Sequence, residues 1–280
     1  MIRLAPMLSG LMVMLAVVVS PVHAQSEAPA SANSEAIFSV ARDGYSMAGL
    51  LSHRRDVKKF RYGIALFAGH PGILRLREEA GQMAFDLRGN FLVRSRRHWL
   101  DDETLVIVVD APSDQWSGFS QHFRETTRYG EDVAALLRAA GEQFGIKEWI
   151  AVGTSEGSVS AFHAARMNPK LINRLILSAS VFLPSRNGPG LSWVAWDDLK
   201  VPLLWVHHVD DPCKFTPYRS AEDYAAKTKA PLITVRGTEG WRGNACEAYT
   251  GHGFVGVEVE TVQAMRAWVK TGVAVKEVGH

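Results

Sequence analysis

Cysteine is nearly absent: the 280 residues contain two, Cys213 and Cys246. A four-cysteine metal cluster is thereby excluded. A zinc site built from this pair with His207 or His208 lacks the C-x-x-C or H-x-x-x-H spacing that would support it, so no metal is expected. Charge of one sign is also scarce. A formal net charge of +2 does not supply the broad positive field of a nucleic-acid groove. The basic clusters at residues 54–61 and 94–98 are therefore read as solvated faces. Long apolar runs are missing as well: the longest, residues 4–19, falls short of the roughly 20 residues of a membrane span. No internal repeat and no cofactor-binding motif is visible, and no cofactor is expected.

That short apolar run has another reading. Arg3 precedes it, and Pro21-Val22-His23-Ala24 places small or aliphatic residues at the −3 and −1 positions of a cleavage site. Residues 1–24 are expected to be a signal peptide cleaved after Ala24, leaving no stable membrane insertion and a periplasmic or secreted protein. Residues 25–35 (Gln, Ser, Glu, Ala, Pro, Asn) read as a flexible linker, and residues 36–280 as one domain. In an oxidising compartment an even cysteine count suggests a Cys213–Cys246 disulfide.

Within the domain, residues 37–42 and 45–52 look like two strands joined at Asp43-Gly44, a hairpin signal. Short apolar runs at 63–68, 104–109, 148–152, 174–177, 202–207 and 232–235 predict further strands. Helical patterns fall at about 91–101, 125–144, 155–167, 217–227 and 255–270. An antiparallel start followed by strand–helix repeats is the signature of an α/β domain. Its sheet should be mostly parallel and covered by helices on both faces.

Gly153-Thr154-Ser155-Glu156-Gly157 matches G-x-S-x-G, with the apolar strand Trp149-Ile150-Ala151-Val152 running in and a helix running out. In such an elbow the serine hydroxyl projects above the sheet edge, and side chains two residues to either side would collide with neighbouring backbone. The N–H of Glu156 is the expected first oxyanion donor. The Glu156 carboxylate reads as a solvated group at a helix N-terminus. A second donor should come from Gly69-His70-Pro71-Gly72, after the first central strand. Pro71 has no N–H, which leaves His70 or Gly72, with the His70 main chain preferred.

A nucleophilic serine needs a base and a carboxylate from later strand ends. Residues 203–208 form a strand that ends at Asp210-Asp211, two adjacent carboxylates of which only one can face the base. Gly251-His252-Gly253 presents an imidazole between two glycines. Of the ten histidines, only His280 also follows the acid, at the chain terminus.

The order Ser155, Asp211, His252 and the strand–GTSEG–helix elbow resemble the α/β-hydrolase superfamily over nearly all of the chain from about residue 36. The resemblance implies the α/β-hydrolase fold. Its usual spacing, counted from His207, selects Asp211 over Asp210. The Gly69–Gly72 loop resembles the family's oxyanion loop, although Ala68 stands where histidine is frequent. Residues 109–114 (Val-Asp-Ala-Pro-Ser-Asp) resemble an exported bacterial subgroup. Only about twenty residues, 182–199, separate two central strands, so any cap is minimal, with Trp193 and Trp196 as candidate cover. Trp116 and Phe119 follow another strand end and are candidates for lining a substrate pocket. The implied activity is hydrolysis of a carboxylic ester or related acyl bond in a small molecule. Peptidase or amidase action on the same triad, and a non-catalytic binding protein of the same fold, are the alternatives.

Overall fold

The computed structural model describes residues 32–280. The signal-peptide assignment and linker residues 25–31 lie outside the described residues. In chain order the elements are β1 (Asn33–Ala41), β2 (Ser46–Arg54), β3 (Tyr62–Phe67), β4 (Arg77–Glu79), β5 (Gln82–Ala84), α1 (Phe91–Ser95), β6 (Thr104–Val109), α2 (Gln121–Arg124), α3 (Thr127–Phe144), β7 (Glu148–Thr154), α4 (Gly157–Met167), β8 (Ile172–Ser178), β9 (Leu203–His208), α5 (Tyr218–Thr228), β10 (Leu232–Val235), α6 (Glu258–Thr271) and β11 (Glu277–Val278). Nine strands form one sheet in the order β1-β2-β6-β3-β7-β8-β9-β10-β11. The β1–β2 and β2–β6 pairs are antiparallel and every other pair is parallel. Strands β4 and β5 make a separate small hairpin that the sequence did not signal.

The apolar strands are continuous because each buries both faces. Along β6, Leu105, Ile107 and Val109 enter one core, while Val106 and Val108 enter the other. The first core packs the sheet against α3 and α4, through Val133, Leu136, Leu137, Phe162 and Ala164. The second packs it against α1 and α6, through Phe91, Leu92, Val262, Met265 and Trp268. Helix α3 is bounded as its sequence demands. The Thr126 hydroxyl accepts from Tyr129 N–H at its start, and Gly145 ends it with a left-handed φ of 71°.

Among the boundaries that differ from the sequence reading, three have a clear physical cause. Strand β1 starts at Asn33, so the linker expected to run to residue 35 stops short of it. Asn33, Ser34 and Glu35 pair with Arg54, His53 and Ser52. A polar stretch is accommodated because β1 is an edge strand, and Glu35 receives Arg96, Arg97 and Ser52. Burial pushes the Glu35 carboxyl up, but the two guanidiniums outweigh it and hold the group at about 2. The basic cluster at 94–98 is thus partly built into the fold: Arg96 is buried on Glu35, and Arg94 bonds Glu258 at 2.7 Å. The helix expected over 91–101 is α1 followed by a 3₁₀ turn, Arg96–Trp99. Helix α4 begins at Gly157, two residues after the serine, because the elbow occupies the positions before it.

Candidate active site

Strand β7 ends in the elbow. Ser155 has φ 52°, a left-handed conformation that costs a residue with a side chain about 1–2 kcal/mol and is held by its surroundings. Its N–H lies 3.2 Å from the carbonyl of Ser178 and 3.1 Å from that of Ala179, both at the end of β8. The flanking glycines are steric requirements. A Cβ on Gly153 would strike the Gly157 carbonyl, and one on Gly157 would strike the carbonyls of Phe67 and Ala68. The serine is therefore fixed where β3, β7 and α4 converge, at the C-terminal edge of the parallel strands.

The candidate acid lies just past the end of β9, and the candidate base lies in the long loop after β10. Asp211 Oδ2 lies 3.0 Å from His252 Nδ1 and accepts from the Thr216 hydroxyl at 2.7 Å, while Oδ1 accepts from Cys213 N–H at 2.9 Å. The Asp211 side chain is fully enclosed, whereas Asp210 is exposed. His252 sits in a short 3₁₀ turn, Gly251–Gly253, with its N–H bonded to Thr250 Oγ1 at 3.1 Å. A Cβ on Gly253 would strike the carbonyl of Ala248, so the turn cannot carry another residue there. Because Nδ1 faces the carboxylate, Nε2 is the nitrogen left for the cavity.

Two buried histidines of β9 stand behind this pair. His207 Nε2 accepts from Ser180 N–H at 3.0 Å, and burial holds its pKa down at about 3, so it stays neutral. His208 Nδ1 accepts from Asp210 N–H, and Nε2 lies 2.8 Å from the Gly237 carbonyl. It thereby ties the acid loop to the loop that follows β10.

Ser155, His70, Glu156 and His252 all line one cavity of about 960 Å³. Its apolar wall is Leu87, Phe91, Val181 and Phe215, and Arg186, Asn187 and Lys214 add polar groups. Gly69 lies so close to the serine that an added Cβ would be 3.0 Å from Ser155 Cβ. Among the described residues, neither the His70 nor the Glu156 main-chain N–H donates to a protein acceptor. Gly72, the other expected candidate, is turned toward the Arg124 guanidinium and does not line the cavity.

Five sequence expectations need correction. Trp116, Phe119, Trp193 and Trp196 do not line this cavity. Trp116 donates its Nε1–H to the Ala111 carbonyl, and Phe119 lies under the Arg124 guanidinium at 3.9 Å. Trp196 packs on Phe162 and Trp205 at 4.9 and 5.2 Å, and Trp193 is 80% exposed. The Glu156 carboxylate is not solvated. It is buried, bonded to Asn187 Nδ2 at 2.6 Å, with His70 Nδ1 at 3.3 Å and Arg124 Nη2 at 3.8 Å. Burial raises its pKa, but His70, Arg124 and Asn187 outweigh that and hold it below the usual carboxylate range. Sequence reasoning missed Thr216, Asn187 and Arg124 altogether; their side chains reach the site from turns and from a four-residue helix without any motif.

Cys213 and Cys246 are joined as a disulfide across 33 positions, and both cysteines line the cavity wall. The bond removes both thiolates from metal ligation.

The chain has the α/β-hydrolase fold. More narrowly, residues 113–242 match the family model described as serine aminopeptidase, S33, a stretch that holds the elbow and Asp211 but stops before His252. Solved structures are similar at low identity. Est1E from Butyrivibrio proteoclasticus is 14% identical with a TM-score of 0.56, over 84% of this chain and 99% of that one. A cold-adapted esterase from an Arctic intertidal metagenomic library is 14% identical with a TM-score of 0.55, over 85% and 94%. An alpha-beta serine hydrolase homologue from Coxiella burnetii is 13% identical with a TM-score of 0.52, over 85% and 97%. A search of curated proteins returns no match.

Proposed function

We propose that the protein is a serine hydrolase that cleaves a carboxylic ester or related acyl bond of a small molecule through an acyl-enzyme. The supporting observation is the 3.0 Å Asp211–His252 bond, which turns the imidazole toward the cavity that also exposes Ser155 on its elbow. In this reading His252 Nε2 takes the proton as the Ser155 hydroxyl attacks the acyl carbon, then returns it to the leaving group. Asp211 holds the imidazole in the tautomer with the proton on Nδ1. The free N–H groups of His70 and Glu156 receive the oxyanion. The esterase names of the similar structures favour an ester. The aminopeptidase description of the matched model favours an amide as the second reading.

A fluorophosphonate probe should label Ser155 in the wild type and leave Ser155→Ala unlabelled. Equal labelling of the alanine protein removes the assignment. A panel of p-nitrophenyl esters and aminoacyl amides then separates the two bond classes. A protein inert to both panel and probe would instead be a binding module.

Export to an oxidising compartment, periplasmic or outside the cell, is part of the same proposal. It rests on the leader-like residues 1–24 and on the disulfide. Among the described residues no helix is long and apolar enough to cross a membrane.

A further inference from the structure

Arg124 ends the four-residue helix α2 and is 1% exposed, an unusual place for a guanidinium. Its Nη1 donates to Ser160 Oγ in α4 at 2.6 Å, and its Nη2 donates to the carbonyls of Pro71 at 2.8 Å and Phe119 at 3.2 Å. The same Nη2 lies 3.8 Å from Glu156 Oε2. Nε is buried without a partner. Burial lowers the guanidinium's pKa, against the opposing pull of the Glu156 charge. An apolar residue of similar volume would fill this position without the desolvation penalty of a buried ion. What the charge adds is a grip on two particular places.

Those places are the two proposed oxyanion donors. Through the Pro71 carbonyl, Arg124 holds the Pro71–Gly72 peptide, in the turn just past the proposed donor His70. Through the carboxylate of Glu156 it holds the residue whose own N–H is the other. Glu156 has three further partners, the buried Gln121, the half-buried Asn187 and the exposed His70. Gln121 Nε2 reaches its Oε1 at 3.4 Å, Asn187 Nδ2 at 2.6 Å, and His70 Nδ1 reaches Oε2 at 3.3 Å. Gln121 in turn accepts from Gly190 N–H at 2.8 Å, which brings the 182–199 segment into the same cluster. The two N–H groups follow neighbouring strands, β3 and β7, whose ladder ends at the Phe67–Gly153 pair, three residues before each donor. Beyond that pair, side chains add the remaining ties between the two turns.

We propose that Arg124 and Glu156 are positioning residues that fix the separation of the two oxyanion donors, acting on the transition state rather than on substrate binding. The inference rests on the Ser155 reading above. A donor displaced by about 1 Å can cost as much as 10²-fold in rate, while the ground-state carbonyl tolerates the looser geometry.

Glu156→Gln keeps the main chain and removes the charge; Arg124→Lys keeps a cation but loses the fork that reaches Ser160 and Pro71 together. With a p-nitrophenyl ester as substrate, each variant should lower kcat about 10- to 100-fold and leave KM within about twofold. Affinity for a phenylboronic acid, which forms a tetrahedral adduct on the serine, should fall in parallel with kcat. Melting curves taken alongside identify a variant that has simply lost its fold, and Glu156→Gln is the milder of the two. Retention of kcat within about twofold by a folded Glu156→Gln protein overturns the proposal. So does a rise in KM at constant kcat, or boronate affinity that holds while kcat falls. The underlying reading is checked separately by fluorophosphonate labelling of Ser155 in the wild type, and an unlabelled wild type overturns both.

Discussion

Of the two carboxylates after β9, Asp210 faces solvent, and Asp211 is enclosed by Cys213 N–H, the Thr216 hydroxyl and His252 Nδ1. In Asp211→Asn the amide oxygen stays on Cys213 N–H and the amide N–H faces Nδ1, which strands the imidazole in the wrong tautomer. Such a change typically costs roughly 10⁴ in kcat. Asp210→Asn, at an exposed side chain, should leave kcat within about threefold, within the small effects of surface substitutions away from special contacts. Steady-state kinetics on the two asparagine proteins decide the matter, and the reverse ranking would move the acid to Asp210.

The loops that carry the proposed acid and base are irregular, and one covalent bond joins them. Cys213 lies two positions after Asp211, and Cys246 six before His252. Residues 236–247 contain no helix or strand, so the bond supplies order that hydrogen-bonded structure does not. Closing a loop of this length stabilises by roughly 3–4 kcal/mol in the chain-entropy model. Reduction should therefore lower the melting temperature by roughly 6–16 °C for a domain of this size. It should also lower kcat, since the base loses its tether. Calorimetry and kinetics with and without reductant read both effects, and two titratable thiols in denatured protein taken from an oxidising compartment would contradict the bond.

At this same scale the sequence was informative where a rule of backbone or period applied. The GTSEG elbow, the hairpin at Asp43-Gly44, the paired apolar runs and the glycines around His252 all express such rules, and each sits where the pattern placed it. Side-chain destinations are not local. Trp116 and Trp196 stand near strand ends just as a pocket residue would, yet they turn to the Ala111 carbonyl and to Phe162. Glu156 reads as a charge at a helix start, and only the arrival of α2 and Asn187 buries it.

Across the whole molecule, acid should weaken the fold well above the ordinary carboxylate range. Burial lowers His207 to about 3 and His163 to about 4, against an ordinary 6.5. Between about 4 and 6.5 the unfolded chain therefore binds protons at both positions that the folded chain refuses, so stability falls as the pH falls. Asp110 works in the opposite sense, because burial raises it to about 6, but it offsets only one of the two histidines. The net slope is then up to about 1.4 kcal/mol per pH unit in that window. A melting-temperature series from pH 7.5 to 4.5 should decline, and His207→Gln, which keeps an acceptor for Ser180 N–H, should flatten it. A flat wild-type profile would show that these histidines accept protons in the folded state.

The order of the strands carries a consequence for biosynthesis. Serine, acid and base follow the ends of β7, β9 and β10, so a chain made from its N-terminus acquires the proposed nucleophile first and the proposed base last. The loop of the proposed base is also tied by a disulfide, which forms only under oxidising conditions. On the proposed reading a nascent or still-reduced chain lacks its proton acceptor in place, and its reactivity is deferred until synthesis and oxidation are both complete.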